Sequence, residues 1–165
     1  MGANAMTYIG IDNGVSGALA AISPHSQIVS VLPMPTLKSR KGNEIDILSV
    51  WQWLEGLGRH KLTVTIEEPG GSKSAKAATS MAGSFHALRS LCVLKGLRWH
   101  RITPQAWQKE LLPGCKAGDS KPRALAAARQ LWPSESFLAS DRCRVAHDGI
   151  VDAALIGEWS RRNNL

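Results

Sequence analysis

Four carboxylates stand in three well-separated stretches of this 165-residue chain: Asp12, Glu67 and the pair Asp148 and Asp152. Asp12 closes the apolar run Tyr8-Ile9-Gly10-Ile11, and Glu67 closes Leu62-Thr63-Val64-Thr65-Ile66. Asp148 and Asp152 lie four apart in an apolar C-terminal segment. Two strand ends and one helix face can bring such groups to a single point. Carboxylates brought together repel one another unless a cation neutralises them. Hard oxygen donors suit Mg²⁺, which keeps several of its waters. Two such ions about 4 Å apart activate water on one side of a phosphodiester and stabilise the leaving oxygen on the other. The chain carries a net charge of +7. Acids gathered in a basic protein point to Mg²⁺-dependent chemistry on a polyanion.

Each acid also has a plainer reading. Asp12 before Asn13-Gly14 fits a turn, Glu67-Glu68 fits a surface pair, and Asp148 fits a helix start, where a carboxylate favours the exposed amides. On a helix advancing about 100° per residue, Asp148 and Asp152 are about 40° apart. Leu155 and Trp159 fall on the same side, so both aspartates are expected to face the sheet. Capping leaves Asp152, a full turn further in, unexplained.

The elements that must position these residues follow from pattern. Residues 7–12, 17–23 and 28–32 read as three short strands separated by turn signals, an antiparallel meander. A Pro-rich basic loop is expected from Pro33 to Asn43. Ile45, Leu48, Trp51 and Leu54 recur at helical spacing, predicting a helix over 44–57. Residues 62–67 form a strand, and Pro69 to Ser74 form a loop. Met81, Phe85, Leu88 and Cys92 mark one stripe of a helix over 75–95. Residues 97–102 form a further strand. Thr103-Pro104 opens a helix that ends near Pro113-Gly114, with proline at its tolerated first position. Helices over 121–132 and 146–162 flank an irregular stretch. A mixed sheet with helices on both faces results, an α/β arrangement.

Hydrophobic residues make up 44% of the chain, enough for one core, and residues 6–165 are expected to form one domain. Residues 1–5 read as a tag remnant or flexible tail. No segment is apolar enough to cross a bilayer. Three cysteines with no Cys-x-x-Cys pair indicate neither a disulfide framework nor a zinc ribbon, and a cytoplasmic protein is expected. Positive charge clusters at Lys38-Ser39-Arg40-Lys41, Lys73/Lys76, Lys95/Arg98/Arg101, Lys116/Lys121/Arg123, Arg142/Arg144 and Arg161/Arg162. Together these favour phosphate binding. Trp51, Trp53, Trp107, Trp132 and Trp159 fall on or beside helices and are read as core or dimer-contact residues.

The stretch Ile9-Gly10-Ile11-Asp12-Asn13-Gly14-Val15-Ser16-Gly17 resembles the first strand and turn of the RNase H-like superfamily. Val64-Thr65-Ile66-Glu67, Ser80 to Phe85, Ile102 to Lys109, Asp119-Ser120-Lys121 and His147 to Ala154 continue the likeness in order. Within the superfamily the chain is similar to RuvC-type Holliday junction resolvases, phage-encoded ones especially, over nearly its whole length from Met6. The resemblance implies an RNase H-like five-stranded sheet, three strands antiparallel and the rest parallel, flanked by helices. It implies a homodimeric endonuclease that resolves four-way DNA junctions with two Mg²⁺ ions per site, for which Mn²⁺ substitutes. Asp12, Glu67, Asp148 and Asp152 would be its metal ligands and catalytic acids. The two C-terminal acidic positions of bacterial resolvases are usually three apart. Here they are four apart, with His147 just before, so His147, Asp148 or both fill the first position. A family lysine that assists phosphate chemistry maps to Lys121, with Lys116 second. Lys73, Lys76, Lys116, Lys121 and Arg123 are the expected DNA contacts. An RNase H-like enzyme cutting hybrids or other branched nucleic acids is the first alternative, and a non-catalytic junction binder the second. The Gly10-Ile11-Asp12 turn also resembles the phosphate loop of actin-like ATPases, but those folds are duplicated and much longer.

Overall fold

A computed structural model of the protein describes residues 6–40, 42–58, 61–70, 74–114 and 120–165. Five strands build the main sheet: β1 (Met6–Asp12), β2 (Ala18–Ile22), β3 (Ile28–Pro33), β6 (Lys61–Glu67) and β7 (Arg98–Ile102). Their order is β3-β2-β1-β6-β7. The β1–β2 and β2–β3 pairs are antiparallel, and β1–β6 and β6–β7 are parallel. Three antiparallel strands followed by parallel ones is the sheet expected from the sequence.

The stretch expected to be a loop is instead a hairpin. Strands β4 (Thr36–Ser39) and β5 (Gly42–Ile45) pair with each other, apart from the main sheet. Every residue of β4 is exposed. Neither strand carries the apolar alternation that announces a buried face, which is why the sequence pattern misses it. Helix α1 (Ile47–Gly56) consequently starts later than expected, capped by the Asp46 carboxylate, which accepts from the Leu48 and Ser49 amides. Ile45 closes the hairpin, Leu48 is 64% exposed, and Val50 and Leu54 are the buried positions.

The sheet separates two cores. On one face Ile9, Ile11, Leu19, Val64 and Ile66 pack under α1 and α2 (Ala75–Leu94), with Phe85, Leu88 and Cys92 from the expected α2 stripe. On the other face Ala18, Ala20 and Ile22 pack under α3 (Pro104–Leu111), α4 (Ser120–Leu131) and α5 (Asp148–Arg162). Burial pushes the Cys92 thiol up to about 12, so it is inert.

Helix α5 sits directly on β1 and β2, and small residues make this possible. A Cβ on Gly10 would collide with the backbone of Ala153 and Gly157. A Cβ on Gly149 would stand 2.7 Å from Gly17 Cα. Absent side chains thus let the N-terminal turn of α5 rest on the β1–β2 turn. Among the described residues, no helix is long and apolar enough to cross a membrane.

Candidate active site

Strand register brings two of the acids together. Ile11 pairs with Ile66 across the parallel β1–β6 ladder, so Asp12 and Glu67 end adjacent strands at the same edge of the sheet. Side chains alternate faces along a strand. Ile9, Ile11, Val64 and Ile66 occupy the α1–α2 core, so Asp12 and Glu67 belong to the opposite face, the one α5 covers. Hydrogen bonds to two backbone carbonyls fix this edge. Asn13 Nδ2 donates to the Glu67 carbonyl at 2.5 Å, and the Glu68 amide donates to the Ile102 carbonyl at 2.7 Å. Asn13 is 1% exposed, and its Oδ1 has no partner among the described residues.

Helix α5 contributes the other two acids, but in different settings. The helix begins at Asp148 rather than Ala146. His147 is its N-cap, Nδ1 accepting from the Ile150 amide at 3.2 Å. Asp152 is half-buried. Asp148, the first residue of the helix, is exposed, contrary to the expectation that both would face the sheet. Its Oδ2 accepts from Lys121 Nζ at 2.6 Å.

Electrostatics tie the four acids into one group. Burial raises the Asp152 carboxyl first, and Asp12, Glu67 and Asp148 raise it further, to about 8. Burial raises Glu67 to about 7 against the opposing hydrogen bond from Trp107, with Asp12 adding to the rise. Asp12 is also raised by burial, while the Gly14 amide, His147 and Lys121 pull the other way. Such mutual influence requires proximity. Lys121 feels Asp148, Asp152 and Asp12, so it stands beside the acids.

The donor set fits a hard divalent cation: carboxylate oxygens from three elements, with His147 beside them. Among the described residues, no three His, Cys, Asp or Glu side chains are gathered tightly enough to chelate one ion. Two of the acids already have other partners. Asp148 is turned to Lys121, and Glu67 Oε1 accepts from the Trp107 indole at 2.7 Å.

The expected DNA contacts divide. Lys76 is exposed in the first turn of α2. Lys73 and Lys116 lie outside the described residues. The Arg123 guanidinium donates to the Pro113 and Gly114 carbonyls, both at 2.7 Å, tying down the turn after α3. Arg161 and Arg162 are paired with Glu158. These three arginines therefore have structural employment that the charge pattern did not reveal. Trp107 was expected to be only a core or contact residue, and it is core, 1% exposed. Its contact with Glu67 follows from the strand order. Strands β6 and β7 are parallel neighbours, so the helix after β7 starts beside the end of β6.

No protein-family model and no curated protein matches this sequence. Solved structures do. The chain is similar to Thermus thermophilus RuvC in complex with a Holliday junction substrate, with a TM-score of 0.58 and 11% identity, covering 96% of each chain. It is similar to a second Thermus thermophilus RuvC structure, with a TM-score of 0.56 and 16% identity, covering 97% of this chain and 96% of the other. The fold is one it shares with RuvC.

Proposed function

We propose that this protein is a Mg²⁺-dependent, structure-selective DNA endonuclease that cuts branched DNA, four-way junctions above all. One observation carries the reading. Acids from β1, β6 and α5 crowd at one edge of a fold shared with a RuvC solved on a Holliday junction. A basic chain of net charge +7 supplies the long-range attraction for such a polyanion.

Asp12, Glu67 and Asp152, with Asp148 at the rim, would hold the ions. Mg²⁺, when bound, supplies activation of water and stabilisation of the departing oxygen. The chain's own residues do the rest. The closeness of α5 to β1 fixes the distance between Asp152 and Asp12. Lys121, exposed beside Asp148, meets the phosphate of the scissile strand. Lys76 at the start of α2 holds phosphates further along, and Lys73 and Lys116 belong to the same reading. Water attacks phosphorus in line, with no covalent intermediate on the protein. A homodimer would present two sites for paired nicks.

Cleavage of a synthetic four-way junction with Mg²⁺, beside a flap and an RNA·DNA hybrid, tests this. The junction is expected to be cut fastest, and Asp12→Asn is expected to cut none. Preference for the hybrid would move the substrate to the RNase H-like alternative. Metal-independent binding without cleavage of any substrate would leave a junction binder.

A further inference from the structure

Three tryptophan indoles each donate their N–H to a partner distant in sequence. Trp132 Nε1 donates to the Ser26 carbonyl at 2.6 Å, and Trp53 Nε1 donates to Ser30 Oγ at 3.1 Å. Both acceptors are neutral. Trp107 differs, since its N–H meets the Glu67 carboxylate, 40 residues away in sequence, at 2.7 Å. When Glu67 is ionised, as it must be to hold a cation, such a bond is shorter and roughly twice as strong as one to a neutral acceptor.

The donor is held rigidly. Trp107 is 1% exposed, in the core that α3 shares with α4 and α5. Thr103 caps α3, its hydroxyl accepting from the Ala106 amide, and Pro104 starts it. The acceptor is held as well, because Asn13 anchors the Glu67 carbonyl. Glu67 is thus fixed at its main chain and at one carboxylate oxygen. An outer donor that orients a ligating carboxylate is a general device of metal sites. A buried indole could instead use Glu67 merely as an acceptor of convenience, and the two roles separate by experiment.

Resting on the Mg²⁺-dependent reading above, we propose that Trp107 is a positioning residue: its indole holds Glu67 Oε1, so that Oε2 is presented to a divalent cation shared with Asp12 and Asp152. The chain would thereby fix which oxygen Glu67 offers before any ion arrives.

Trp107→Phe keeps the bulk and removes only the N–H. Mn²⁺ affinity, read by electron paramagnetic resonance, is expected to fall about tenfold or more, with junction cleavage recovering at high Mg²⁺. In wild-type protein carrying ¹⁵N-labelled tryptophan, the Trp107 indole cross-peak is expected to move as Mg²⁺ is added. Mn²⁺ affinity within about twofold of wild type in a folded Trp107→Phe protein overturns the proposal, because an orienting partner costs more. A Trp107 cross-peak unmoved by saturating Mg²⁺ also overturns it. Should Trp107→Phe fail to fold, the cross-peak is identified by its displacement in Glu67→Gln, and the Mg²⁺ titration decides alone. Wild-type protein that binds no Mn²⁺ would sink the metal reading itself, a result distinct from equal binding by wild type and variant.

Discussion

The two ends of α5 hold acids in opposite condition. Near its C-terminus Glu158 is 1% exposed. It accepts from Arg161 Nε at 2.7 Å and Nη2 at 2.9 Å, from Arg162 Nε at 2.9 Å and from Ser26 Oγ at 2.8 Å. Burial alone would raise its carboxyl, but these donors outweigh burial and hold it below the ordinary value. Six residues earlier on the same helix, Asp152 is pushed up to about 8 by burial and by Asp12, Glu67 and Asp148, with Lys121 pulling weakly the other way. At one end the chain supplies the cations and the acid ties a turn to the helix. At the other the chain collects like charges, with the exposed Lys121 beside them among the described residues. An arrangement that destabilises the fold persists where function requires it.

The comparison can be broken at either end. The largest effect is expected from Asp12→Asn, which should lower junction cleavage more than about 100-fold, beyond the cost of losing an outer partner of a ligand. Rates at fixed Mg²⁺ on a synthetic junction measure it. Glu158→Gln should destabilise the protein by about 3 kcal/mol, because two guanidinium groups lose their buried counter-charge. Urea unfolding reads that loss, and Mn²⁺ affinity should not change. Asp152→Asn should act in the opposite sense, stabilising the metal-free protein by about 1–2 kcal/mol while lowering cleavage by less than Asp12→Asn does. Lys121→Ala should be the mildest for stability, under about 1 kcal/mol for an exposed pair. The same variant should lower the salt slope of junction binding by about one.

Dependence on pH should likewise carry opposite signs at the two ends. Glu67 and Asp152 have raised values in the fold. The stability tied to their protonated forms is complete below their ordinary values of 4.5 and 3.8, and it is lost as pH rises through about 7 and about 8. Glu158 has a lowered value. Its contribution is present above its ordinary 4.5 and is lost as pH falls through the lower value it holds in the fold. Thermal melting against pH should therefore decline on both sides. Mg²⁺ should flatten only the alkaline side, since an ion that binds the folded state stabilises it by mass action.

The main sheet was legible because its strands end in turn residues and bury β-branched side chains. The acids Asp12 and Glu67 were legible because they stop apolar runs. The hairpin β4–β5 was not, since Thr-Leu-Lys-Ser against Gly-Asn-Glu-Ile offers no buried face. Glu158 was passed over because it sits between Leu155 and Trp159, and Arg161 and Arg162 read as free positive charge until their partner was seen. The bond between Trp107 and Glu67 depends on where a helix begins relative to a neighbouring strand, which periodicity within one segment does not express.

Asp12, Glu67 and Asp152 are proposed to share divalent cations. Crystals of the wild-type protein grown with Mn²⁺ and measured for anomalous scattering would locate such ions directly. Peaks are expected at about 2.0–2.2 Å from carboxylate oxygens of all three residues. Ions found only elsewhere on the surface, with these carboxylates turned apart, would contradict it.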